Sequence, residues 1–278
     1  MHHNPLGHRS LSYTAQQGDQ TVIVRINTQP ARFASTVKNL EVLRELGILV
    51  PKVLAEDLSC SHHPFAYMIL RAIPGTDLRF ALPTMSNQEQ RLVAAQVMDF
   101  ERRVCKLPEG QGYGYAGVGE TPPHRSWREA IAFGAFSQGY APDAVDAELM
   151  ERAMEAVEHL APYLDSIRPT CFLDDLTTKN VIVDHGALCG VVDFDVVCYG
   201  DPLFQIGLTQ TAVGFDLPDS CMSYVEHLCT AADVTQDQRR VIHLYAGLCG
   251  IDFLSRMAVS PAHAAGVARI NRWLDRAV

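Results

Sequence analysis

The segment Asp175-Leu176-Thr177-Thr178-Lys179-Asn180 leads into the β-branched run Val181-Ile182-Val183, and His185-Gly186 then suits a tight turn. Leu188 to Val192 is apolar again and ends on Asp193-Phe194-Asp195. This pattern predicts a β-hairpin with a polar loop at its open end. Asn180 stands just before the first strand and Asp193 just after the second. A carboxylate, an amide and a second carboxylate on adjoining loops can hold Mg²⁺ on the phosphates of a nucleotide. The first carboxylate is then free to take a proton from an incoming hydroxyl. Phosphoryl transfer asks little of a protein beyond positioning and charge neutralisation. The Asp-x-x-x-x-Asn spacing alone is common, and Asp174-Asp175 read by itself could be a turn or a helix N-cap. The whole arrangement, loop to hairpin to Asp-Phe-Asp, is far more restrictive.

These residues resemble the catalytic core of the aminoglycoside phosphotransferase family, the small-molecule branch of the protein-kinase-like fold. That family's pattern is His-Gly-Asp-Leu-x-x-x-Asn, strand, turn, strand, an Asp-led metal-binding triplet, and then Gly-Asp-Pro. Gly200-Asp201-Pro202 supplies the last element here. The resemblance implies Asp175 as the catalytic base, with Asp174 as the alternative one position away. It implies Asn180 and Asp193 as metal ligands. In the phosphoryl-transfer mechanism that follows, Asp195 is expected to assist a second metal and Lys179 to meet the transferred phosphoryl group, with a plain surface lysine as the alternative for Lys179. Asp201 commonly anchors the catalytic loop in the family. The chain departs from the pattern in two places. Leu173 and Asp174 replace the family's His and Gly, so Leu173 is expected to brace the loop by packing against apolar neighbours such as Phe194.

The second departure lies in the front of the chain. Thr21 to Ile26 predicts a strand carrying Arg25, which the resemblance makes the nucleotide-binding cation. An amphipathic helix is expected over 33–46, ended by Gly47 and Pro51. The family places a Glu there to pair with the strand cation, but Asn39 occupies that position and Glu41 lies on another face. The partner of Arg25 therefore stays open. Phe65 to Leu70 predicts a further strand, and Ile73-Pro74-Gly75-Thr76 resembles the family's hinge. There the carbonyl of Arg71 and the amide of Ile73 are implied to hold the edge of the nucleotide base. Gly7 to Tyr13 is the nearest counterpart of the phosphate-covering turn, so the front lobe is expected to be truncated.

Ser86-x-x-Glu89, Ser126-x-x-Glu129 and Thr235-x-x-Gln238 are capping-box patterns that predict helix starts in the rest of the chain. Trp127 is expected in the core. Helices are also expected over 203–213 and from Ser260-Pro261. Between Asp143 and Asp165 seven acidic residues face Arg152 alone. The apolar spacing of Val145, Leu149, Ala153, Val157, Leu160 and Leu164 reads this as one solvated helix face, although the family builds part of its acceptor site here.

The expected fold is α+β: a two-lobed protein-kinase-like architecture with a small β-rich N-lobe at 1–72 and a larger, mostly helical C-lobe at 73–278. A mean hydropathy near zero describes a chain with ample core. No stretch is long and apolar enough for a signal peptide or a membrane span, so no membrane partner and a cytoplasmic location are expected. The eight cysteines show no Cys-x-x-Cys pair and are expected reduced. Cys60-Ser61-His62-His63 reads as a solvated loop rather than a zinc site. A net charge of −9 disfavours nucleic acid and suits cationic small molecules. The reading is a Mg²⁺-dependent phosphotransferase using ATP or GTP on a hydroxyl of a small molecule. The alternative is a catalytically silent protein of the same fold that binds a nucleotide or a partner.

Overall fold

The computed structural model describes residues 2–4, 10–18, 20–136, 145–257 and 260–278. Its front lobe is built on a five-stranded antiparallel sheet in the order β1-β2-β3-β5-β4. The strands are β1 (His2–Asn4), β2 (Leu11–Gln17), β3 (Gln20–Asn27), β4 (Val53–Asp57) and β5 (Ala66–Arg71). Helix α1 (Thr36–Glu45) crosses between β3 and β4 and buries Thr36, Asn39, Leu40 and Leu43. It begins later than expected, because Pro30–Phe33 forms a separate 3₁₀ turn. It ends where expected, at Gly47 with φ +73. Of the proposed phosphate-covering turn, Gly7, His8 and Arg9 lie outside the described residues, and Leu11 to Tyr13 belong to β2.

The connector after β5 leads to β6 (Thr76–Asp77), which pairs antiparallel with β9 (Val181–Asp184). Gly75 makes this approach possible. It has φ +123, and a Cβ there would lie 2.5 Å from the Val183 carbonyl oxygen. The connector is thereby stitched to the hairpin formed by β9 and β10 (Ala187–Val191). His185 and Gly186 at its tip have φ of +47 and +76, as a two-residue turn between twisted strands requires. The third sheet has the order β7-β11-β8, from Gly114–Ala116, Val197–Gly200 and Thr170–Phe172.

Helices fill the rest: α2 (Leu78–Ala81), α3 (Asn87–Val104), α4 (Trp127–Phe136), α5 (Ala147–His159) and α6 (Ala161–Leu164). After the sheets come α7 (Leu203–Asp216), α8 (Met222–Ala231), α9 (Gln236–Ser255) and α10 (Pro261–Ala277). This is the two-lobed α+β architecture expected, a small sheet lobe on a larger helical one. Complete capping boxes start α3 and α9. At α4 only half the box forms: Glu129 N donates to Ser126 Oγ at 3.1 Å, while its carboxylate accepts from Arg125 N at 2.9 Å.

Helix α5 buries Leu149, Ala153, Ala156 and Val157 and leaves Glu148, Glu151, Glu155 and Glu158 in water, so its acidic run is a solvated face. Asp143 lies outside the described residues. Trp127 is buried and packs edge-on to Phe172, Phe204 and Tyr245. All eight cysteines are free thiols. Among the described residues no helix is long and apolar enough to cross a membrane.

Candidate active site

Three backbone segments meet where the sheet lobe faces the hairpin. The loop between β8 and β9 carries Asp174, Asp175, Lys179 and Asn180. The loop between β10 and β11 carries Asp193 and Asp195, and β3 brings Arg25.

The first loop is held from several sides, and its residues from Leu176 to Thr178 are buried. Leu173 is 1% exposed and belongs to the same apolar cluster as Phe194. Packing therefore braces the loop, as the sequence led one to expect. Other supports were not legible in the sequence. Leu173 N donates to both oxygens of Glu101 on α3, at 3.2 and 3.1 Å. Gln205 Nε2 on α7 donates to the Leu176 carbonyl at 3.1 Å, and Arg79 N donates to the Thr178 carbonyl at 2.9 Å. Glu101 is enclosed in the core, and that desolvation pushes its carboxyl well above the ordinary range; the Leu173 N–H pulls the other way. Asp201, expected to anchor this loop, is turned elsewhere. It accepts from the hydroxyls of Tyr245 at 2.7 Å and Tyr163 at 3.0 Å, and from Leu203 N at the start of α7. The preceding Gly200 is required because a Cβ there would sit 2.1 Å from the Trp127 ring.

Asn180 is buried, and its Nδ2 donates to the Asp175 carbonyl at 2.9 Å. That bond fixes the amide orientation and leaves Oδ1 as the atom able to meet a cation. Val192 N donates to the Asn180 carbonyl at 2.9 Å, which ties this loop to the start of the second. Asp175 Oδ1 accepts from the Thr177 hydroxyl at 2.8 Å, and its Oδ2 lies 3.5 Å from Lys179 Nζ. The neighbouring Asp174 accepts from the Tyr115 hydroxyl at 2.9 Å. The two adjacent carboxylates are thus distinguished by their partners, one set against Lys179 and the other against a β7 tyrosine.

Asp193 has φ +73, a region that Asp enters more readily than most side chains and one that recurs at functional sites. Its side chain remains 52% exposed. Its pKa is raised, first by desolvation and also by the charges of Asp195 and Asp175, while Arg25 pulls it down. Arg25 Nη2 lies 3.3 Å from Asp193 Oδ1. Its stronger partner is Asp195, which it meets with Nη1 at 2.7 Å and Nη2 at 2.6 Å. Burial penalises the guanidinium charge, but Asp195 and then Asp193 outweigh that penalty and hold it protonated. The open position at Arg25 is thereby filled. Asp195, for which a metal-assisting role was expected, has both oxygens occupied by Arg25 and a further bond from the Thr36 hydroxyl at 2.8 Å.

The donor set suits a hard divalent cation, since Mg²⁺ prefers one or two carboxylates and otherwise takes phosphate and water oxygens. Asp193 offers an open carboxylate and Asn180 an amide oxygen whose orientation is fixed by the Nδ2 bond, with no thiol or imidazole donor required. Arg71 and Ile73 line a cavity of about 470 Å³ beside the connector, with Gln20, Thr21 and Gly75.

The sequence matches the phosphotransferase enzyme family over residues 4–240. No curated protein matches it. Among solved structures, a thermostable mutant of aminoglycoside phosphotransferase APH(4)-Ia, in complex with AMP-PNP and hygromycin B, is similar at a TM-score of 0.71 and 17% identity. That alignment covers 99% of this chain and 92% of the other. The GDP complex of aminoglycoside 2'-phosphotransferase-IIIa is similar at a TM-score of 0.70 and 12% identity, covering 99% and 92%. A putative fructosamine-3-kinase from Haemophilus somnus 129PT follows at 0.65 and 14%, covering 98% and 91%. At these identities the structures speak for a common fold.

Proposed function

The chain belongs to the phosphotransferase enzyme family, and on that premise we propose that it moves the terminal phosphate of ATP or GTP to a hydroxyl of a small molecule with Mg²⁺. The observation that carries this reading is the joint anchoring of two loops. Asn180 is bonded through its side chain to the Asp175 backbone and through its carbonyl to Val192, beside Asp193. Base, amide and open carboxylate therefore share one rigid frame.

In this reading Asp175 orients the acceptor hydroxyl and takes its proton as the new bond forms. Lys179, 3.5 Å from Asp175, balances its charge and would meet an oxygen of the transferred phosphoryl group. Asn180 through Oδ1 and Asp193 through its carboxylate hold the metal. Bound Mg²⁺ would neutralise the charge on the nucleotide phosphates. Arg25 offsets charge on the α/β side, and the Arg71 carbonyl and Ile73 amide hold the base edge by backbone bonds. Relatives of the same fold have been captured with adenine and with guanine nucleotides, so either base suits the reading. The net charge of −9 favours a cationic acceptor, for example an aminoglycoside.

A catalytically silent binder would rest on the departures at Leu173 and Asn39 and on a short front lobe. Both departures have a physical substitute here, since Leu173 packs under the loop and Asp195 pairs with Arg25, and the front lobe carries a five-stranded sheet. The test is thermal unfolding with ATP or GTP and Mg²⁺, followed by nucleoside diphosphate release across a panel of hydroxylated acceptors. A rise in Tm that Asp193→Ala abolishes is expected, together with turnover on at least one acceptor. No rise with either nucleotide in folded protein would overturn the reading. Binding without turnover on any acceptor class would leave the silent binder in its place.

A further inference from the structure

Arg25 can serve a nucleotide only if something aims it, because a long guanidinium side chain otherwise samples many rotamers. At the position on helix α1 where the family pattern has a Glu for this cation stands Asn39, fully buried and neutral. Its amide is already committed. Nδ2 donates to the carbonyls of Phe194 and Asp195, both at 3.1 Å, and Oδ1 accepts from Val118 N at 2.8 Å. Helix α1 thus holds the Asp193-Phe194-Asp195 segment by its backbone and contributes no charge to Arg25. The charge comes from that segment itself. Asp195 meets Arg25 with two near-parallel bonds of 2.7 and 2.6 Å, the fork-to-fork geometry that fixes a guanidinium in direction as well as distance. Thr36 at the start of α1 locks the carboxylate with its hydroxyl at 2.8 Å. The Phe33 ring supports the guanidinium, 5.2 Å from its centroid.

We propose that Asp195 is the positioning residue for Arg25 and not a metal ligand, so that one three-residue segment sets both the metal-binding carboxylate and the direction of the phosphate-binding cation. The proposal rests on the reading of Arg25 as a nucleotide contact. Two facts argue against a metal at Asp195. Its oxygens are already taken by Arg25 and Thr36, and any ion placed there would face the guanidinium at close range. Helix α1 then acts through neutral bonds from Thr36 and Asn39, and the charge that aims the cation comes from the metal-binding segment rather than from the helix.

A double-mutant cycle tests this, with calorimetric nucleotide Kd and the Mg²⁺ midpoint at saturating nucleotide as readouts. Arg25→Met and Asp195→Asn are each expected to weaken nucleotide binding on the order of tenfold, as loss of a paired, charge-assisted contact does. In the Arg25→Met background, Asp195→Asn should change neither the Kd nor the Mg²⁺ midpoint. Thr36→Val, which spares every charge, should weaken binding a few-fold with Arg25 present and not at all without it. Additive losses, or a Mg²⁺ midpoint that Asp195→Asn shifts in the Arg25→Met background, would return Asp195 to the metal and overturn the proposal. If the wild-type chain binds no nucleotide, the functional reading fails. If it binds and the losses add, only the assignment of Asp195 fails.

Discussion

Replacing Leu173 by Ala tests whether apolar packing braces this loop at the position where the family pattern has a histidine. The leucine is 1% exposed and lies in the cluster that holds Phe194, Leu176 and Val181. Removing about three buried carbons costs roughly 2–2.5 kcal/mol in transfer free energy at about 0.8 kcal/mol each. The cavity left behind adds to this, so the expected total is about 2–5 kcal/mol, set by how far the loop collapses into the space. For a chain of this size each kcal/mol moves Tm by about 2–4 °C, so a mid-range loss of about 3 kcal/mol lowers it by about 6–12 °C. Urea unfolding and scanning calorimetry would measure both quantities. The Leu173 N–H bond to Glu101 is a backbone bond and survives the change. Nucleotide affinity well below the new Tm should therefore stay close to that of the parent. A stability loss within about 0.5 kcal/mol, the range of ordinary surface substitutions, would refute the packing argument. So would a collapse of binding at unchanged stability.

The two adjacent carboxylates should separate in kinetics. Asp175→Asn is expected to lower turnover by orders of magnitude with nucleotide affinity nearly intact, while Asp174→Asn, which disturbs the bond from Tyr115, costs less; equal losses would put the base one residue earlier. Glu101 offers a pH test. Its folded pKa is raised by burial, with Asp174 adding to the shift, so the unfolded chain releases this proton first and stability falls as pH rises from about 4 toward neutrality. Glu101→Gln keeps an oxygen for Leu173 N and cannot ionise. Its stability relative to the parent should thus climb across that interval in urea titrations at each pH. A constant difference at every pH would mean that Glu101 ionises equally in both states.

Much of the site was legible because its geometry is local. A β-branched run, a His-Gly turn and a second apolar run are enough to specify a hairpin, and the hairpin alone brings the ends carrying Asn180 and Asp193 together. The capping boxes at Ser86 and Thr235 were readable for the same reason, since each closes within one turn of helix. Gly200 and Gly75 could be noticed in the sequence, but their cause could not. Each is required by a contact with a distant element, the Trp127 ring in one case and the Val183 carbonyl in the other.

What the sequence by itself determined is therefore the β9–β10 hairpin, the strands around Arg25 and Phe65 to Leu70, two capped helix starts and the identity of the polar residues at the hairpin mouth. Tertiary structure decided which of those residues answers to which partner. Asp193 and Asp195 are two positions apart and chemically identical. Only the approach of β3, roughly 170 positions away in the chain, hands the doubly bonded contact with Arg25 to Asp195 and leaves Asp193 half open. Glu101 and Gln205 carry no motif, yet they secure the loop that carries Asp175 because folding lays α3 and α7 beside its backbone. The physical reason is the same in each case. A local pattern is set by the torsional and periodic preferences of neighbouring residues. A charged or hydrogen-bonding side chain takes whichever partner the packed core has already brought within reach and shielded from water.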